Sequence, residues 1–127
     1  MNAEKYLNQL NKINELIQIE KEEIEQLKQL KQLTELTNEN DEITSKINEL
    51  EIEIYTEINQ YIELIKKVHK ILNKIENVDE KLYLKYRYIL HYSFKEVQNS
   101  MKISNTQMTV IRNRALESVG ELLKVGD

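Results

Sequence analysis

The chain has 127 residues, with no proline, no cysteine, two glycines, 31% charged residues and a formal net charge of −4. Without cysteine there are no disulfides or thiolate metal sites, and no uncharged run approaches the ~18 residues that a membrane-spanning helix needs. The bias toward Glu, Lys, Leu, Ile, Asn and Gln points to an all-α protein, and the opening MNAEKYLNQL has no apolar core of signal-peptide length, so a soluble, cytoplasmic chain is expected.

In chain order, the first predicted element follows Leu7, Leu10, Ile13, Ile17, Ile24, Leu27, Leu30, Leu33 and Leu36, an apolar stripe at helical spacing whose register drifts after Leu27. TNEND, residues 37–41, then supplies a polar turn, with Asn40 as the expected N-cap of the next helix and Asp41 and Glu42 suiting its positive end. The second helix carries Ile43, Ile47, Leu50, Ile54, Ile58, Tyr61, Ile65, Val68, Leu72 and Ile75 in steps of three and four. That is a near-heptad seam along a rod of roughly 50 Å. Two long helices joined by a short polar turn predict an antiparallel hairpin over residues 1–78. Ile52, Tyr55 and Ile62 lie off the seam and widen the apolar face, which makes a homodimer through the hairpin an expected mode of assembly.

The periodicity breaks at Glu76–Asp79, where Asn77 is placed to cap a new helix with Glu80 three residues on. Residues 79–127 are expected to form a three-helix unit. The charge divides at the same place. Residues 1–78 hold ten Lys against sixteen carboxylates, a net −6, whereas 79–116 hold seven basic residues against three acidic, a net +4. An acidic part and a basic part in one chain point to different tasks.

The segment SFKEVQNSMKISNTQMTVIRNRALESV, residues 93–119, contains two capping-box signatures, Ser93 with Glu96 and Ser104 with Gln107. They predict a short helix from Phe94 to Met101, a turn at Lys102–Ile103 and a second helix from Asn105. Phe94, Val97, Met101, Ile103, Met108, Ile111, Ala115 and Val119 are expected to point inward. This is the apolar skeleton of a helix-turn-helix, whose second helix can enter a DNA major groove.

On these residues the segment resembles the C-terminal promoter-recognition helix-turn-helix (region four) of bacterial sigma factors. The positions that carry the likeness are Ser93, Phe94, Glu96, Val97, Met101 to Ser104, Met108, Ile111, Ala115 and Leu116. The whole layout is similar to small phage and prophage late-transcription regulators of the RinA/ArpU type. The resemblance implies a DNA-binding transcriptional regulator, with double-stranded DNA and RNA polymerase as partners. It places base contacts at Asn105, Thr106, Gln107, Thr109, Val110 and Asn113. Asn and Gln can read adenine, and Thr can touch a thymine methyl. Lys85, Arg87, Lys95, Lys102, Arg112 and Arg114 are the expected phosphate contacts, and four to six of them would give a salt slope of roughly −4 to −5. The sequence departs from the family at Lys102, which stands where the family's turn has glycine and would need a positive φ.

Other chemistries find little support. His69 and His91 are isolated, no Gly-rich phosphate loop exists, and the carboxylates lie on faces opposite the apolar seams. No enzyme activity, metal or cofactor is expected. The acidic polar faces disfavour a membrane surface. Two other readings compete: a helical interaction module that modulates a host machine, and a recognition subunit for phage DNA packaging.

Overall fold

The computed structural model describes residues 2–34 and 39–125. Leu36 and the first two residues of the expected turn at 37–41 lie outside the described residues, and the remaining three belong to α2. Among the described residues there are helices and turns and no strands: α1 (Ala3–Leu33), α2 (Glu39–Leu72), α3 (Val78–Leu84), a π-helical turn (Lys85–Ile89), α4 (Phe94–Met101) and α5 (Asn105–Val125). None is long and apolar enough to cross a membrane.

The chain sorts into two compact units. One comprises residues 12–63. Within it Ile17 and Ile24 of α1 bury against Ile47, Leu50 and Ile54 of α2, with Ile13, Leu27, Ile43 and Tyr61 at the margins. These are the residues of the two sequence seams, brought together because each stripe alone would face water. Ile58, also a seam residue, stays 38% exposed. Asn40 is not an N-cap. It falls inside the first turn of α2, and its side-chain amide donates to the Lys31 carbonyl at 3.2 Å. The last carbonyls of α1 lack i+4 helical donors, and the Asn40 amide joins the Thr34 N–H on the Lys31 carbonyl.

The same unit holds a paired-acid site. Glu20 is almost buried, with the Glu57 carboxyl beside it. Burial raises the Glu20 pKa above the ordinary value, helped by the neighbouring Glu57 carboxyl. Oε2 of each carboxyl is buried without a hydrogen-bond partner.

The other unit comprises residues 1–11 with 64–127, so the C-terminal helices share a core with the first turns of α1 and the last turns of α2. Leu7, Leu10, Val68, Leu72, Ile75, Tyr83, Leu84, Tyr88, Val97, Ala115 and Val119 form that core. This unit is larger than the segment 79–127 delimited by the break in periodicity. Asn77 caps α3 as its sequence implies, accepting from the Glu80 N–H at 3.0 Å. The helix then widens into the π turn, where the Leu90 N–H reaches back to the Lys85 carbonyl, and the chain leaves it through His91 at φ 61°.

Candidate nucleic-acid interface

Both capping boxes form. The Ser93 N–H donates to Glu96 Oε1 at 2.9 Å, and the Glu96 N–H donates to Ser93 Oγ at 3.2 Å. The Ser104 N–H donates to Gln107 Oε1 at 2.9 Å, and the Gln107 N–H donates to Ser104 Oγ at 3.1 Å. Hydrogen bonds from the Ser93 backbone and side chain hold the Glu96 carboxyl below its ordinary pKa, because they favour the charged form. Between the boxes Lys102 takes the left-handed conformation, φ 55° and ψ 49°, as the C-cap of α4. Its own N–H and that of Ile103 both close on the Gln98 carbonyl, an ending that glycine usually supplies.

These two devices fix where α5 begins. Val97, Ala115 and Val119 are fully buried, and Met101, Ile103, Met108 and Ile111 are half-buried. Phe94 is the exception to the inward set. It is 42% exposed and forms a platform for two guanidinium groups, Arg87 at 4.6 Å and Arg112 at 5.9 Å from its ring centroid.

Every side chain expected to contact bases is exposed: Asn105, Thr106, Gln107, Thr109, Val110 and Asn113. Their functional groups are not equally available. Gln107 commits its carbonyl oxygen to the cap, which leaves its NH₂ facing outward. The Thr109 hydroxyl donates to the Asn105 carbonyl at 3.0 Å, so the methyl is its free group. Asn113 accepts from Arg112 Nη1 at 3.3 Å. Asn105, Thr106 and Val110 carry no such internal side-chain engagement.

The six expected phosphate contacts divide into two sets. Lys95, Lys102 and Arg114 are exposed and Lys85 is half-exposed, none with an ion-pair partner among the described residues. Arg112 pairs with Glu4 at 2.8 Å. Arg87 is turned into its own unit, donating to the Tyr92 carbonyl at 3.0 Å and lying 5.6 Å from the Tyr88 ring.

Arg87 also belongs to a polar cluster with Asn11 and His91. The Asn11 amide lies 2.6 Å from His91 Nδ1. With its nitrogen facing the ring, it donates to Nδ1 and to the Arg87 carbonyl, and its oxygen accepts from Arg87 Nη1 at 3.2 Å. Burial and then the nearby Arg87 charge lower the His91 pKa, so the ring accepts as a neutral imidazole near pH 7. Burial pushes the neighbouring Tyr88 phenol up to about 12. Sequence reading missed the roles of Asn11 and Glu4, because each acts on a residue more than 75 positions away and no local signal marks either.

No group of three or more His, Asp or Glu able to hold a metal ion occurs among the described residues. No protein-family model, characterised protein or solved structure matches this chain.

Proposed function

We propose that the protein is a DNA-binding transcriptional regulator of the phage and prophage type, without enzymatic activity. In this reading α4, the turn at 102–104 and α5 are a helix-turn-helix of sigma-region-four kind, with the first two turns of α5 in the major groove. The supporting observation is the outward face of α5. Six small or amide-bearing side chains from Asn105 to Asn113 are all exposed on a helix whose start is fixed by a closed capping box. Asn105 is the leading adenine reader, while the Thr109 methyl and Val110 suit thymine methyls. Lys85, Lys95, Lys102 and Arg114 serve the phosphates, and four contacts correspond to a salt slope of about −3.6. Arg112 joins them when Glu4 releases it.

Residues of α1 and α2 are read as an antiparallel hairpin, since Lys31 meets Asn40 and Glu20 meets Glu57 in opposite chain order. Its task is self-association or attachment to RNA polymerase. Either would raise the occupancy of a site that four phosphate contacts bind only weakly.

Fluorescence anisotropy on AT-rich and GC-rich duplexes tests this reading. Arg114→Ala should weaken binding to both equally, and Asn105→Ala should reduce the preference between them. Equal behaviour of the two variants would remove the base-reading role of α5.

A second reading has its own support. Ile52 and Tyr55 are about two-thirds exposed on α2 (68% and 69%), which suits a helical interaction module acting on a host machine. A DNA-packaging recognition subunit would use both surfaces, and a ring-sized assembly in light scattering would select it.

A further inference from the structure

At the end of α2, Lys67 and Lys70 lie one turn apart on the helix, and Lys74 follows in the turn just beyond Leu72. All three are exposed, and none has a hydrogen-bond or ion-pair partner among the described residues. They border a groove of about 630 Å³ whose floor is apolar: Tyr6 of α1, Ile71 of α2, and Leu122 and Leu123 of α5. Every lining residue belongs to the same compact unit.

We infer that this groove is a docking site for an acidic amphipathic helix of a partner protein. Lys67 and Lys70 are one helical turn apart, and Lys74 borders the same groove from the turn past the helix end. A helix laid alongside α2 repeats that first spacing, so carboxylates at its positions i and i+3 meet Lys67 and Lys70, and a third carboxylate one turn further on meets Lys74. Its adjoining apolar stripe then enters the groove. The half-buried Tyr6, Ile71, Leu122 and Leu123 supply what a phosphate backbone would not use. Leu122 also lies seventeen residues beyond Asn105, about 25 Å along α5 from the side chains assigned to bases. Three unpaired cations around an apolar floor match a partner in sign and in shape.

The test uses the full chain and a fluorescein-labelled helical peptide of about 18 residues, with Glu at that spacing beside a Leu stripe. One control peptide replaces Glu by Gln, and another replaces Leu by Ser. The acidic amphipathic peptide should bind, weaken as salt rises, and bind roughly tenfold less tightly to the Lys67→Glu, Lys70→Glu, Lys74→Glu variant. Each control should bind more weakly than the parent, and the corresponding triple Gln variant should fall between wild type and the Glu variant. DNA affinity and light-scattering mass of the variants should match those of wild type, with helicity checked by circular dichroism. Equal peptide binding by wild type and variant, or none to wild type, would overturn the inference. A variant that loses DNA affinity would assign the lysines to phosphates instead. One that loses self-association would assign the groove to a second copy, and either outcome refutes the partner-helix site.

Discussion

Lys102 shows how one residue can serve two roles with opposite demands. Its backbone sits where a side chain costs about 1–2 kcal/mol, and its ammonium stands beside the proposed DNA face. Lys102→Gly should therefore stabilise the fold by about 1 kcal/mol, read in urea melts. The same change should lower the magnitude of the DNA salt slope by about 0.9. Glu20 offers a second residue-scale prediction. Its folded pKa is raised, so between the unfolded value near 4.5 and the raised one the unfolded chain releases a proton that the folded chain keeps. Stability from this group is thus present at acid pH and lost as pH rises. Glu20→Gln should stabilise the protein by about 1 kcal/mol near neutrality, because it removes a buried negative charge and its repulsion with Glu57. The gain should vanish near pH 4 in paired melts.

At the scale of elements, the caps set helix positions that propensity alone leaves open. Ser104→Ala removes the acceptor for the Gln107 N–H and should cost about 1 kcal/mol in denaturant melts. The same variant should weaken DNA binding to all sequences, since the start of α5 frays. These caps were legible in sequence because their chemistry spans three residues: Ser93 to Glu96 and Ser104 to Gln107 both closed as written. The apolar seams were legible through their period, and Ile17, Ile24, Ile47, Leu50 and Ile54 meet accordingly. Asn40 was misread because a turn-former beside a helix start has two helix ends within reach, and the Lys31 carbonyl at the end of α1 took its amide. Phe94 was misread because the periodicity of a two-turn helix cannot tell a core aromatic from one that carries guanidinium groups. The withdrawal of Arg87 toward Tyr92 and Asn11 depends on contacts across the fold, which spacing does not encode. Exposed apolar residues on α2 carry the element's last prediction. Tyr55→Lys with Ile62→Lys should lower the light-scattering mass if copies associate through this face, and should leave helicity intact.

For the whole molecule, charge decides what the proposed DNA surface can do. A chain of net −4 approaches a polyanion only through a local excess of cations, and residues 79–116 hold that excess. On the proposed reading, four available cations would give weak binding to phosphates that a second copy or a polymerase would supplement. Glu4 tempers it further by holding Arg112 at 2.8 Å. Glu4→Gln should free that guanidinium and tighten binding several-fold at low salt, with the salt slope steepening toward −4.5 (about one more contact).

The most direct measurement is an anisotropy titration of the full chain on an AT-rich duplex at about 50 and 200 mM salt. Binding at the lower salt that weakens with a log–log slope of about −3.6, and whose preference for AT-rich over GC-rich DNA shrinks in Asn105→Ala, is the predicted result. No binding at the lower salt, or binding indifferent to both salt and the identity of residue 105, would contradict a DNA-reading α5.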